Sequence, residues 1–334
     1  MKTAWDLVEE AFRLDLQAMP YSWRNGATEV RIGAGRPIRV RMGIQECFLR
    51  TDGSLSVHDR EGIRPDRKWL ETGLARIANY SLYAYEEQLG QGFLTVQGGH
   101  RIGVTGRAVL EKGRIRTLTD ISSLIIRMAH EVKGCSQFVF PYLKKGKGIY
   151  HTLIVSPPGA GKTTLLRDLL RRCSDELMLQ VGIADERSEL AACRQGIAQM
   201  DVGIRTEVLD GAPKAEGIRM LLRSVSPQVI GADEIGSEEE TEALADLMRC
   251  GVKVLCTAHA GSLEELRSRK DTAGLLEHNI PERIVVLADQ PGCGNVASIW
   301  DQEGKILYDG METAGRSLSG TGGLDDRKPG FRTV

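Results

Sequence analysis

The chain has 334 residues, 41% hydrophobic and 27% charged, the composition of a folded globular protein of about two domains; disorder over most of its length is excluded. Lys and Arg (44) nearly balance Asp and Glu (45), so the formal net charge is −1 and no global field draws the chain to nucleic acid or anionic lipid. Seven cysteines are widely spaced with no C-x-x-C pair, which excludes a disulfide framework or zinc ribbon and reads as reduced cytosolic thiols.

At the N-terminus, Asp6, Glu9, Glu10, Arg13 and Asp15 interrupt the apolar residues, so no signal-peptide core is expected there. Nowhere does an apolar run reach the roughly 18 residues of a membrane span, so membrane contact is expected only through partners. Residues 1–132 read as a smaller α+β N-terminal domain. Val30, Ile32, Ile38 and Val40 flank Gly33, Gly35 and Pro37, the pattern of two short strands around a turn. Leu70, Leu74 and Ile77 recur at helical spacing.

Further on, Gly98-Gly99 separates two strand-like runs, a hairpin signal because both central residues of the favoured turn need positive φ. In the second run Ile102, Val104, Ala108 and Leu110 share one parity, and Arg101, Thr105 and Arg107 the other. Residues 133–148, with glycines, Pro141, Lys144, Lys145 and Lys147, read as a linker with solvated charge. From 149 to 309 short β-rich runs alternate with amphipathic helical ones, which predicts an α/β domain with a mostly parallel sheet and helices on both faces. The glycine-rich stretch 310–334 reads as a flexible tail.

The sharpest chemical signal lies between a predicted strand and a leucine-faced helix: Ser156-Pro157-Pro158-Gly159-Ala160-Gly161-Lys162-Thr163-Thr164. Glycines let successive backbone N–H groups point inward around a phosphate, and the helix dipole adds to their pull. In this P-loop pattern Pro158 to Thr164 are the candidate nucleotide cradle, Lys162 the contact to β and γ phosphates and Thr163 a Mg²⁺ ligand; Ser156 replaces the usual first glycine. About 70 residues on, the apolar run Val229-Ile230-Gly231-Ala232 ends in Asp233-Glu234: an acid for Mg²⁺, then a base for the attacking water. Asp185, Glu186 and Glu189 follow one further strand, and Thr257 and His259 another, at the carboxyl ends where open α/β sheets bind ligand. Thr257-x-His259 fits a γ-phosphate sensor.

The order of P-loop, Asp185-Glu186-Arg187-Ser188-Glu189, Leu222 to Pro227, Asp233-Glu234-Ile235-Gly236 and Thr257-Ala258-His259 resembles the secretion-ATPase superfamily of type II and type IV secretion and pilus motors. The acidic group is similar to that family's Asp box, with Asp185 and Glu186 in swapped order, and His259 to its His box. Within the superfamily the likeness is strongest to a branch from endospore-forming bacteria. It is carried by Ser156 to Asp168, Gly203 to Asp210, Arg223 to Ile230, Gly98 to Val104 and Ser122 to Arg127, and reaches about Tyr308. Two departures stand out: Gly236 occupies a position where secretion motors usually carry arginine, and the four-cysteine insertion of the type II branch is missing.

The resemblance implies a two-domain, RecA/AAA-like ATPase that uses ATP and Mg²⁺ and assembles as a ring, expected to be hexameric. It places Glu234, Lys162, His259 and Glu186 in catalysis and assigns arginines of the N-terminal domain, Arg127 and Arg101 and less directly Arg107, to the γ-phosphate. It further implies a cytoplasmic protein, peripheral to the membrane on the mother-cell side of the forespore, serving a transenvelope sporulation channel. A RecA-like nucleic-acid motor and a nucleotide-gated scaffold with little turnover are the competing readings. The near-neutral charge, without a basic, aromatic-studded face, weighs against nucleic acid, and the intact Asp233-Glu234 pair against the scaffold.

Overall fold

The computed structural model describes residues 3–80, 85–90, 92–129, 131–268, 270–278, 280–290 and 292–310. The expected tail therefore lies almost wholly outside the described residues. Two compact units interleave along the chain: Met1–Lys133 with Gly182–Gly217, and Gly134–Val181 with Ile218–Val334.

The first unit is built on a seven-stranded sheet. Its strands are β1 (Glu29–Gly33), β2 (Arg39–Met42), β3 (Gln45–Leu49), β4 (Leu55–Ser56), β5 (Phe93–Thr95), β6 (Arg101–Glu111) and β7 (Arg114–Arg127), in spatial order β4-β3-β2-β1-β7-β6-β5. All pairings are antiparallel. Strand alternation puts Val30, Ile32, Val40, Leu94, Ile102, Leu124 and Ile126 into one buried core with residues of the helices Ala4–Phe12 and Arg67–Ile77. Thr3 and Asp6 form a capping box on the first helix and Asp66 caps the second. Where these helices meet, a Cβ on Gly73 would stand 1.9 Å from the Phe12 ring, and Phe12 stacks on Trp69 at 4.6 Å. Only glycine admits that approach.

The hairpin turn forms where Gly98-Gly99 predicted it, with φ of 84° and 75°. The apolar parity of β6, however, is buried only at Ile102 and Val104. From Thr105 to Glu111 the strand is exposed, and Leu110 is 66% accessible, because it runs past the core after a register shift at Thr105/Arg107. Residues 182–217 join this unit through chain-distant polar ties. Arg101 Nη1 meets Glu189 at 2.7 Å, the Gly98 amide donates to Gln199 Oε1, and Lys133 pairs with Asp201 at 2.6 Å.

In the second unit the strand order runs Val229–Ala232, Lys253–His259, Thr152–Ser156, Arg283–Leu287, Val296–Asp301, Ile306–Asp309. The first four are parallel neighbours, buried along their length as an interior parallel sheet requires. The last two are an antiparallel addition that the sequence reading did not foresee. Apart from the buried Ile299 their residues are at most partly buried, which leaves a weak apolar period. The expected linker is a folded part of this unit. Val139, Phe140 and Leu143 are buried, Ser136 is fully enclosed, and Lys144–Lys145 pairs with Gly148–Ile149. Its lysine charges are exposed as expected, with Lys145 paired to Glu282 at 2.8 Å.

Candidate nucleotide site

Parallel register assembles the site. Ser156 at the end of its strand lies opposite His259, and Ala232 lies opposite Cys256, so the residues that follow emerge together at the carboxyl ends of three adjacent strands. From there the chain turns through Gly159 (φ 82°) and Gly161 (φ 87°) into the helix Lys162–Asp175. These two φ values require glycine. Around Gly159 a Cβ would meet nothing within 4 Å, so its backbone borders open space, whereas Gly161 is packed with a would-be Cβ 3.0 Å from Cys293 Cα.

Lys162 is buried. Its ammonium donates to the carbonyls of Ser156 (2.9 Å) and Pro157 (3.1 Å), to Ser156 Oγ (3.2 Å) and to His259 Nδ1 (3.1 Å). Burial lowers its pKa from the ordinary lysine value, with Asp233 and Glu234 pulling the other way. An ammonium has no lone pair, so Nδ1 of His259 accepts and the ring proton sits on Nε2, which donates to Glu234 Oε1 at 3.0 Å. Lysine, histidine and glutamate thus form one hydrogen-bonded chain.

Asp233 is held from two sides. Thr163 Oγ1 donates to its Oδ2 at 2.5 Å and Thr257 Oγ1 donates to its Oδ1. Thr257 also accepts the Glu234 amide on its hydroxyl (2.8 Å) and the Ile235 amide on its carbonyl (2.8 Å). Those bonds pin a non-glycine residue in left-handed backbone, since Glu234 has φ 54°, a conformation that persists only where surroundings hold it. Thr257 is therefore the organiser of the acid pair, a role missed from sequence. No local pattern carries that role: it comes from the parallel register, which puts residue 257 beside residue 233.

A second organiser is Asp168, also missed. Burial pushes its carboxyl pKa up, yet hydrogen bonds from the Ser136 hydroxyl (2.6 Å) and amide (2.9 Å), from Arg171 and from the Gly134 amide bring it below the usual aspartate value. It ties residues 134–136 to the helix that carries Lys162 and Thr163.

Of the expected site residues, Lys162, Thr163, Asp233, Glu234 and His259 converge, with Pro158, Gly159, Ala160, Gly161 and Thr164 in the same loop and helix start. Glu186, Arg101 and Arg127 belong to the first unit. There Arg101 is engaged by Glu189 and lies 3.5 Å from the Phe93 ring centroid. Arg127, its cross-strand partner, is exposed and 4.0 Å from Glu29, and Glu186 approaches Lys214 at 3.7 Å. Asp185 is buried, which raises its pKa, and its carboxylate accepts the amides of Glu189 and Ala191 at 2.8 Å each. Its place in the motif order is thus explained by capping the loop after its own strand.

The donor set fits a Mg²⁺–nucleotide ligand. The hydroxyl of Thr163 and carboxylate of Asp233 are hard oxygen donors already side by side, and Mg²⁺ in phosphate sites takes only one or two protein oxygens.

The family described as "Sporulation stage III, protein AA" matches residues 16–307. The chain belongs to that family. Stage III sporulation protein AA of Bacillus subtilis (strain 168) is 38% identical to it over 306 residues, 90% of this chain and 95% of that protein. Every string that carried the sequence resemblance falls inside the matched span. Among solved structures, the Legionella pneumophila ATPase DotB superposes with a TM-score of 0.54 at 17% identity, covering 83% of this chain and 77% of that one. The pilus retraction motor PilT with bound ADP gives 0.52 at 15% identity, covering 95% and 87%. The fold of this family member is accordingly the α/β P-loop fold of secretion ATPases. Among the described residues no helix is long and apolar enough to cross a membrane.

Proposed function

We propose that the chain is an Mg²⁺-dependent ATP hydrolase acting as the motor of a sporulation-associated, secretion-like transenvelope channel, coupling hydrolysis to transport or channel assembly. The observation that carries the enzymatic reading is the meeting of Thr163 and Asp233 at 2.5 Å, with Glu234 held next to them by Thr257 and His259. An acid pair and a P-loop hydroxyl brought together by register are what hydrolysis of a triphosphate needs, and a strand-end cap would not need them.

In this reading the amides of residues 158–164 and Lys162 hold the phosphates, and Thr163 and Asp233 hold Mg²⁺. Bound Mg²⁺ supplies charge neutralisation on the phosphate oxygens. To reach a phosphate, Lys162 leaves His259, whose Nδ1 then loses its donor. Glu234, bonded to the other ring nitrogen, orients the attacking water and takes its proton. Arg127 and Arg101 are proposed as donors to the γ-phosphate during the cycle, with Glu186 as a supporting acid; for Arg101 this requires leaving Glu189. A hexameric ring, peripheral on the mother-cell side of the forespore membrane and joined to channel proteins there, completes the proposal.

The test is calorimetry with Mg·ATP together with phosphate release. Tight binding with steady turnover is expected. Glu234→Gln should keep the binding and lose turnover by about 10²- to 10⁴-fold, the range for a general base. No affinity for Mg·ATP, or unchanged turnover in that variant, overturns the assignment.

A further inference from the structure

The far end of the β6–β7 hairpin has the chemistry of a surface that enters another phase. Past Thr105 the two strands leave the core and close through Lys112 (φ 50°) and Gly113 (φ 78°), the two-residue turn whose positive φ angles match strand twist. At strand rise the distance from Thr105 to Leu110 is about 17 Å. Its outermost residues include Val109 (37% accessible), Leu110 (66%) and Ile115 (51%), the last two paired across the strands. Leu110 and Ile115 stand side by side on one face of the tip and Val109 on the other, and a folded protein gains nothing by exposing them, so the tip marks a contact.

The charges beside them are mostly positive. Between residues 105 and 119 the cations Arg107, Lys112, Arg114 and Arg116 face a single acid, Glu111. Arg116 is engaged by Glu86 at 2.8 Å, and among the described residues Arg107, Lys112 and Arg114 have no ion-pair partner. The whole-chain charge of −1 conceals this local excess.

The arm is also tied to neighbouring helices. A register shift at Val109/Leu110 leaves Arg116 out of the ladder, and its side chain reaches back to Glu86 of the helix Glu86–Gly90. At the base, Asp120 (φ 50°) is paired with Arg67 of the helix Arg67–Ile77. Gly106 lies so close to the opposite strand that a Cβ would be 2.4 Å from the Thr119 carbonyl. These ties hold the arm from both sides.

We propose that this tip docks on an anionic lipid surface, with Leu110, Ile115 and Val109 entering the headgroup boundary and Lys112, Arg114 and Arg107 meeting lipid phosphates. A convex tip two strands wide has no groove to enclose a partner's side chain, but it can enter a fluid interface, and apolar tip plus adjacent cations is the pairing such entry needs. The contact is direct, unlike membrane attachment through partner proteins, and does not rest on ATP hydrolysis.

The experiment is co-sedimentation of the full chain with vesicles of phosphatidylglycerol and phosphatidylcholine, against phosphatidylcholine alone, at low and high salt. Binding to the anionic vesicles, weakened by salt, is expected. Lys112→Gln with Arg114→Gln should weaken it about 25-fold, roughly fivefold for each cation removed. Leu110→Ser with Ile115→Ser should weaken it at least about tenfold, from the apolar area no longer buried. Both double variants change exposed residues outside the nucleotide site, so their ATP turnover should equal that of the parent. Absent pelleting, equal pelleting with neutral vesicles, or pelleting undiminished in both variants overturns the proposal. So does self-association of the parent that the Leu110/Ile115 variant abolishes, which would make the occupant a second copy of the chain.

Discussion

Two sets of strand ends, the candidate nucleotide site and the tip of the β6–β7 arm, treat polarity in opposite ways. At the nucleotide site Lys162 and Asp233 are buried and bonded to one another's neighbours, so that the ammonium, the imidazole and both carboxyls have partners inside the protein. At the tip of the β6–β7 arm, apolar side chains stand in solvent with cations beside them. A buried polar group is costly unless paired, so the first region is specified down to single hydroxyls. An exposed tip has no such constraint and tolerates change in the isolated chain. The difference teaches where substitutions should be felt in the protein alone and where only in the presence of a partner.

The sharpest way to break the comparison is Lys162→Ala, which removes the centre of the polar chain and the proposed phosphate contact. ATP turnover, measured by phosphate release, should fall by about three orders of magnitude or more. If the loss is slight, the buried chain is structural and the site reading fails. Next comes Asp168→Ala, which strips the Ser136 hydroxyl and Arg171 of a buried carboxylate. Denaturant unfolding should show a loss of about 3 kcal/mol, the usual cost of breaking a buried charged network.

Thr257→Val leaves Asp233 Oδ1 and the Glu234 amide without this partner at nearly unchanged volume. About 1–3 kcal/mol of stability should go, and turnover should fall with it, while Thr257→Ser should restore most of both. A harmless Thr257→Val beside a damaging Thr257→Ser would assign the site's order to the methyl group instead.

A pH experiment sharpens the same contrast between buried and exposed groups. Burial, with Lys253 nearby, lowers His151 from 6.5 to about 4, and burial opposed by Lys145, the His151 amide and Lys253 leaves Glu282 at about 2 instead of 4.5. Both folded pKa values lie below the unfolded ones, so the unfolded chain binds more protons as pH falls. Stability from His151 is complete above about pH 6.5 and is lost on the way down to about 4. The Glu282 contribution follows, between about 4.5 and 2. Thermal midpoints should therefore begin to fall below pH 6.5, and His151→Gln should flatten the first part of that decline. The smallest effect belongs to the arm: Lys112→Gln with Arg114→Gln should change unfolding free energy by no more than about 0.5 kcal/mol.

Much of this was legible in residue order. Gly159 and Gly161 are needed for their φ values whatever surrounds them, Gly98-Gly99 turns a hairpin by local geometry, and the buried strands Thr152–Ser156 and Val229–Ala232 show as apolar runs between polar ends. These are short-range properties, so sequence alone determined the P-loop, its acid strand, the alternating α/β pattern and the family likeness that goes with them. Tertiary structure decided the rest, because contacts distant along the chain leave no local period. Parallel register brought Thr257, one strand away and more than twenty residues on, to hold Asp233 and Glu234. Burial turned the supposed linker into part of the second unit through Val139, Phe140 and Leu143, and chain-distant bonds at Arg101 and Gln199 drew 182–217 into the first. The end of the core, not any change in the alternation of β6, set where that strand's apolar face stops being buried.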